Sequence, residues 1–285
     1  MAPPISVVIL TQDEEVNLPG CLDSLQALED VHVLDSGSTD RTISIARDRN
    51  VPVHHHPFTG FGQQRNWAID HVPTKHPWQF HLDADERFTP ELIGEIADVL
   101  KDSPAAGGYF VPSKLIFAGK WLRYAGCYPT YQVRLFHRER LRFVDYGHGQ
   151  REQTSHPLGR LTQPYLHLAF SKGLDHWFAK HAVYARREAN QLWNGTELEK
   201  RSAIRGLFSR DRTQRRRALK RLTARLPLRY LFRFAYLLLV RWAFLDGSAG
   251  ITYAHLIATY EAMVHVHLRL HQKDFRVEAS REAED

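Results

Sequence analysis

The clearest chemical capacity lies in a short acidic run, His81-Leu82-Asp83-Ala84-Asp85-Glu86. Alternate residues of an extended segment point the same way, so the Asp83 and Asp85 carboxylates can face one site. Two hard oxygen ligands suit Mg2+ or Mn2+, with a substrate diphosphate completing the shell. The bland reading of the same run is a solvated loop that caps the next helix. Its place directly after an apolar strand favours chemistry. Two further polar runs also follow apolar ones. Asp35–Thr42 (DSGSTDRT) offers a carboxylate for a base or ribose, and small residues that let backbone N–H groups approach a ligand. It also reads as a β-turn with an N-cap. Thr11-Gln12-Asp13-Glu14-Glu15 reads either as a third site segment or as an acidic first helical turn favoured by the helix dipole.

The elements that must position these residues are legible as alternating patterns. Ile5–Leu10 is a continuous apolar run, as expected of a strand buried on both faces. Val31–Asp35, Val51–His55 and Trp78–Asp83 read as further strands. Helical spacing predicts helices over Asn17–Leu28, Thr42–Asp48 (capped by Ser38 or Thr39), Phe61–His71 and Pro90–Leu100. Strands alternating with short helices imply a parallel, doubly wound α/β sheet, with ligands at the carboxyl ends of its strands. From Gly107 to Leu168 the pattern changes to an α+β extension with short strands at Gly108–Val111, Gln132–Phe136 and Leu161–Leu168. Helices are predicted over Gly173–Leu192, Ala218–Ala224, Leu228–Phe244 and Ile251–Leu270. This gives a catalytic domain over 1–170, a helical region over 171–272 and a polar tail over 273–285.

Taken together, the three strand ends resemble family 2 glycosyltransferases of the GT-A fold, a Rossmann-like nucleotide-diphospho-sugar transferase fold, here with a C-terminal helical extension. Thr11–Asn17 (TQDEEVN) resembles that family's T-x-N-E-E-x-N, with Asp13 where Asn is usual. Asp35–Thr42 matches closely. Gly60–Ala68 (GFGQQRNWA) resembles G-x-x-x-Q-K/R-N-x-A, and Leu82–Glu86 matches L-D-A-D-E. Trp121–Phe136 (WLRYAGCYPTYQVRLF) and Phe244-Leu245-Asp246-Gly247 resemble segments of the lipopolysaccharide-core glucosyltransferase branch. The resemblance implies that Asp35 contacts the nucleotide base with Thr11 and Glu14 nearby. It places Arg65 by the uridine or diphosphate, Asp83 by the ribose and Asp85 on the metal. It also implies a His near the metal or diphosphate. His167 is the candidate, a satisfied core histidine being the alternative.

A base for the acceptor hydroxyl is sought in Asp145–Glu152 (DYGHGQRE). Glu152 stands where the branch shows V-H-E. The usual His before it is Arg151 here, which keeps His148 as a second candidate. A carboxylate poised by partial burial can take a hydroxyl proton. Pairing of Glu152 with Arg151 or Arg142 is the structural alternative. Trp121, Tyr124, Tyr128 and Tyr131 can stack on sugar rings or simply pack. His54-His55-His56 reads as a solvated strand end rather than a metal tract.

Charge is strongly localised. Arg201–Arg241 holds twelve Arg, Lys220 and one acid, Asp211, a net +12 in a chain of net +6, so the rest carries −6. An anionic membrane surface fits the interleaved Leu, Phe and Tyr. Nucleic acid is not expected, because no recognisable nucleic-acid fold accompanies the charge. No apolar run reaches the roughly 20 residues of a spanning helix. The two cysteines, Cys21 and Cys127, cannot form a disulfide framework, and the first residues lack a basic leader. The resemblance implies an inverting, metal-dependent enzyme, and with the charge pattern the expectation is that it is cytoplasmic and peripheral on the inner face of the cytoplasmic membrane. It would move glucose from UDP-glucose to a lipid-linked saccharide. A nucleotidyltransferase and a non-catalytic membrane-associated saccharide-binding protein are the alternatives.

Overall fold

The structure is a computed structural model and describes residues 2–102, 104–146, 149–193, 215, 226 and 228–272. The chain divides into two compact units, Met1–Lys172 and Gly173–Asp285.

In the first unit, the apolar runs become the strands they predict. β1 (Ile5–Thr11) lies between β2 (Val31–Asp35) and β4 (Trp78–Asp83), parallel to both, and β3 (Val53–His55) extends the parallel half beyond β2. The strand alternation of β1 sends its side chains to two apolar layers. Ile5, Val7 and Ile9 join one with Leu18, Leu92 and Ile96, and Val8 joins the other with Leu34, Ala68 and Val72. The helices α2 (Thr42–Asp48), α3 (Phe61–His71) and α4 (Pro90–Leu100) have the predicted bounds. Thr89 caps α4, its side chain accepting from Leu92 N at 3.2 Å. The cap of α2 differs from expectation. Arg41 occupies the N-cap position without a side-chain bond, because Ser38 and Thr39 are engaged with Asp35 and Asp13. Helix α1 is Leu18–Asp23 only. Beyond it the chain tightens into turns, Leu25 N to Leu22 O and Leu28 N to Leu25 O, which still bury Leu25 and Leu28.

The sheet is mixed rather than wholly parallel. Its order is β3-β2-β1-β4-β8-β6-β12-β5, where β5 is Glu86–Arg87, β6 Gly108–Phe117, β8 Thr130–His137 and β12 Tyr165–His167. β8 is antiparallel to both β4 and β6. β7 (Lys120–Trp121) and β11 (Leu158–Arg160) pair with β6. The middle segment therefore continues the first sheet. A two-stranded ribbon of β9 (Arg142–Tyr146) and β10 (Gly149–Gln153) stands apart from that sheet.

The second unit contains α5 (Gly173–Trp193), α6 (Arg229–Ala235) and α7 (Gly247–Gln272). The helix predicted over Leu228–Phe244 is broken. α6 runs into a π-turn at Tyr236–Val240 and then a 3-10 turn at Ala243–Asp246. Gly247 adopts φ +69°, and a Cβ on Gly250 would lie 2.0 Å from Ala243 O, so the two glycines permit the tight entry into α7. Among the described residues no single helix is long and apolar enough to cross a membrane. The pair Arg229–Val240 and Ala243–Leu270, bent by 71°, passes that test together. The predicted helix at Ala218–Ala224, the tail 273–285 and most of the basic segment lie outside the described residues.

Candidate active site

The register of the parallel half sets the first-unit candidates side by side. Thr11 pairs with Asp35, Leu10 with Asp83, and Asp35 with His55. Glu86 pairs with His167 across β5 and β12. Leu168 N donates to Asp85 O at 2.8 Å. Thus Asp83, Asp85, Glu86 and His167 share one end of the sheet.

Asp83 is held from two sides. Arg65 Nη2 on α3 reaches Oδ1 at 3.1 Å, and Arg134 Nη2 on β8 reaches Oδ2 at 2.7 Å. Arg134 also pairs with Glu86 at 2.5 Å, and Glu86 Oε2 accepts from Asp83 N at 3.0 Å. Burial opposes ionisation of Asp83, but the Arg134 and Arg65 guanidiniums outweigh it and hold its carboxyl well below the usual range. Burial pushes Glu86 the other way, upward, with Arg134 opposing and Asp83 adding to the rise. Arg65 is pushed down to about 10 by burial and by Arg134. The resemblance places Arg65 against a diphosphate. In the structure it is buried, and its pairing is with Asp83.

Asp85 faces His167, Oδ2 to Nε2 being 3.4 Å. Burial lowers the imidazole's proton affinity, but the Asp85 hydrogen bond and charge raise it overall. Both side chains are partly exposed. Among the described residues no group of three or more His, Cys, Asp or Glu is arranged to hold a metal ion. The pair nevertheless fits part of a shell. Two ligands on adjacent positions of an octahedral ion with bonds of roughly 2.1 Å lie about 3 Å apart.

The loops after β1 and β2 are laced together. The Asp35 carboxylate is fully buried. It accepts from Gly37 N at 2.9 Å, Ser38 N at 2.8 Å, Thr11 Oγ1 at 3.0 Å and the Ser38 hydroxyl. The structure thus shows Asp35 organising its own loop. Asp13 has φ +54° and accepts from Thr39 N at 2.7 Å. Asn and Asp tolerate that left-handed geometry better than other side chains, which explains an Asp where the family pattern has Asn. Glu14 accepts from Lys172 Nζ and from Asn17 Nδ2, both at 2.6 Å.

Glu152 lies on β10 directly opposite Phe143 of β9 and is half-buried. Among the described residues it has no ion-pair partner, and Arg142 pairs instead with Asp70 at 3.2 Å. His148, the second candidate, lies outside the described residues. Helix α3 holds the ribbon that carries Glu152. Asn66 Nδ2 donates to Phe143 O at 2.7 Å and Phe143 N donates to Asn66 Oδ1 at 2.9 Å. Asp145 accepts from Gly62 N, at the first turn of α3, at 2.7 Å. A Cβ on Gly62 would lie 2.8 Å from the Val144 carbonyl carbon, so glycine allows this close approach.

The aromatic candidates pack with cations. Trp121 meets Tyr128 edge to face at 5.1 Å, Lys114 lies 4.7 Å over Trp121, and Arg160 lies 4.5 Å over Tyr131. The histidine tract is only partly solvated. His54 contacts His32 at 3.2 Å, and His56 bonds Gln64 at 2.7 Å and stacks on Trp67. Sequence reasoning gave no role to Arg134, Glu86 or Lys172. The Arg in the segment Tyr131–Phe136 was the available signal for the first.

The sequence profile of Glycosyl transferase family 2 matches residues 6–154. The Lipopolysaccharide core biosynthesis glycosyltransferase LpsC of Rhizobium meliloti (strain 1021) is 30% identical over 121 residues, 41% of this chain and 44% of that protein. An uncharacterized glycosyltransferase of Rickettsia bellii (strain RML369-C) is 34% identical over 93 residues, 32% of this chain and 31% of that one. These matches span less than half the length of either relative. Among solved structures, glucosyl-3-phosphoglycerate synthase from Mycobacterium tuberculosis, in complex with Mn2+, UDP and glucosyl-3-phosphoglycerate, gives a TM-score of 0.44 at 19% identity. That likeness covers 67% of this chain and 79% of the other.

Proposed function

The chain belongs to glycosyl transferase family 2, and from that premise we propose that it is an inverting glycosyltransferase that moves a sugar from a nucleotide-diphosphate donor to a saccharide acceptor. The observation that carries this reading is the arrangement of Asp83, Asp85 and His167 at one end of the sheet, with Asp83 fixed by two arginines. Asp83 is the acceptor for donor hydroxyls, with Thr11, Glu14 and Asp35 shaping the neighbouring loops. Asp85 and His167 would hold Mg2+ or Mn2+, and such an ion offsets charge that develops on the leaving diphosphate. Glu152 takes the proton of the acceptor hydroxyl. The oxygen then bonds to the anomeric carbon from the face opposite the breaking bond, and the nucleoside diphosphate leaves with that bond's electrons. UDP-glucose is the proposed donor. Similarity to LpsC supports a lipid-linked acceptor in lipopolysaccharide core assembly. The +12 segment Arg201–Arg241 supports peripheral docking on an anionic cytoplasmic-membrane surface.

The test is release of free nucleoside diphosphate from a panel of nucleotide sugars, with and without Mn2+. Metal-dependent release from UDP-glucose, abolished in Asp85→Ala and His167→Ala, is expected. Absence of both release and metal-dependent nucleotide binding would overturn the reading.

A further inference from the structure

The helix α6 and the π-turn after it are patterned inside out. The face at Arg229, Arg233 and Leu237, residues four apart, turns toward α7 at its ends. Arg229 is buried and pairs with Glu261 of α7 at 2.7 Å, and Leu237 is fully buried. Arg229 belongs to the basic segment Arg201–Arg241, and the structure spends its charge inside the helical unit. The opposite face is apolar and open. Phe232 is 68% exposed, Leu239 70%, Val240 64% and, at the corner, Trp242 55%, with Leu231 and Leu245 also exposed. A helix in water shows the reverse pattern. Apolar residues turned outward and ion pairs turned inward suit a hydrocarbon surrounding, and so large an exposed patch marks an interaction surface.

The shape and the charges narrow the partner. The chain bends by 71° between Val240 and Ala243. Trp242 sits at that bend with φ +56°, a left-handed geometry that an aromatic residue rarely adopts. Arg233 and Arg241 flank the apolar stretch, and the Nε of each is buried without a hydrogen-bond partner among the described residues. Arginine beside an apolar tip can meet phosphate oxygens while the tip lies deeper, and tryptophan favours that boundary. Together, Arg229–Val240 and Ala243–Leu270 have the length and composition of a broken membrane span.

We propose that the corner from Leu231 to Leu245 is a wedge that inserts into one leaflet of a phospholipid bilayer, so that apolar burial, and not the charge of the basic segment alone, anchors the chain. The proposal does not depend on the glycosyltransferase reading.

The experiment is flotation of the full chain with vesicles of phosphatidylcholine and phosphatidylglycerol, in low salt and in about 0.5 M NaCl, where exposed charges are screened. Binding should persist at high salt. Leu239→Glu/Trp242→Glu should weaken it by roughly ten-fold or more, while the circular dichroism melting curve is unchanged. Trp242→Phe, which keeps an apolar corner, should still bind but lose part of the fluorescence quenching by bromine-labelled acyl chains. Binding that disappears at high salt and is indifferent to the Glu variant would overturn the proposal. So would light scattering that shows a dimer broken by that variant, with no vesicle binding by the wild type.

Discussion

Replacing Asn66 by Ala separates the role of the β9–β10 ribbon from that of the sheet. The carboxamide serves both backbone groups of Phe143, at 2.7 and 2.9 Å. These two groups point away from β10, so Phe143 and Glu152 form a non-hydrogen-bonded cross-strand pair. Loss of the side chain strips the outer edge of the residue that faces Glu152. Leaving a partly buried backbone N–H without its acceptor costs about 1–2 kcal/mol. That corresponds to roughly 5–30-fold faster hydrogen exchange at the Phe143 amide. If Glu152 takes the acceptor proton, displacement of its strand by about 1 Å lowers kcat by on the order of 100-fold. The donor KM should stay near the wild-type value, because Asp83 and Asp85 lie elsewhere in the fold. Asn66→Asp keeps an acceptor for the N–H but sets a negative charge against the Phe143 carbonyl, so it should be no better than Ala. Exchange mass spectrometry over residues 142–153 and steady-state kinetics are the paired assays. Faster exchange with unchanged kcat would remove Glu152 from the mechanism. Unchanged exchange would show that Asn66 does not hold the ribbon.

Arg134→Met should destabilise the fold by about 3–5 kcal/mol, since it leaves the buried Glu86 and the half-buried Asp83 without a shared cation. Adding Glu86→Gln should recover part of that loss in a denaturant melt. Two glycines in helices should respond with opposite sign. Gly62→Ala meets the Val144 carbonyl carbon at 2.8 Å and should cost about 1–3 kcal/mol. Gly94→Ala in α4 meets nothing within 4 Å and should raise stability by up to about 1 kcal/mol. Asp30 gives the pH dependence. Burial opposes its ionisation, but bonds from Ser6, Lys75 N and His32 hold its carboxyl below the ordinary value. Its contribution is therefore present above the unfolded carboxylate range, about pH 4, and is lost as pH falls through the lower folded value. Asp30→Asn should flatten that acid limb of stability.

Much of the first hundred residues was legible because its central strand, Ile5–Thr11, is a largely apolar run buried on both faces. Helices α2, α3 and α4 carry their own boundary signals, such as Pro90 after Thr89. The mixed direction of the sheet was not legible. Nothing local to Gln132–Phe136 says that it will insert antiparallel between β4 and β6. The break in the last predicted helix was hidden for a related reason. Leu237, Leu238 and Leu239 are good helix formers, and nothing local to them signals the π-turn that buries Leu237. Side chains that act across long separations were also missed. Arg134 meets Asp83 from 51 residues away, and Lys172 meets Glu14 from 158.

The two aspartates of the Asp83-Ala84-Asp85 run look equivalent in sequence, and the fold makes them unlike. Asp83 gives one oxygen to Arg65 and the other to Arg134. Bringing a divalent ion onto those oxygens would set it against two fixed guanidiniums. Asp85 faces an imidazole, which becomes a ligand on losing a proton. The same three residues of α3 that define the Gln64-Arg65-Asn66 motif divide this labour. Gln64 ties the helix to Ser36 and His56, Arg65 to Asp83, and Asn66 to the ribbon of Glu152. A helix only eleven residues long thus sets the loop after β2, the fixed carboxylate and the proposed base with respect to one another. The motif is accordingly a positioning device in the structure.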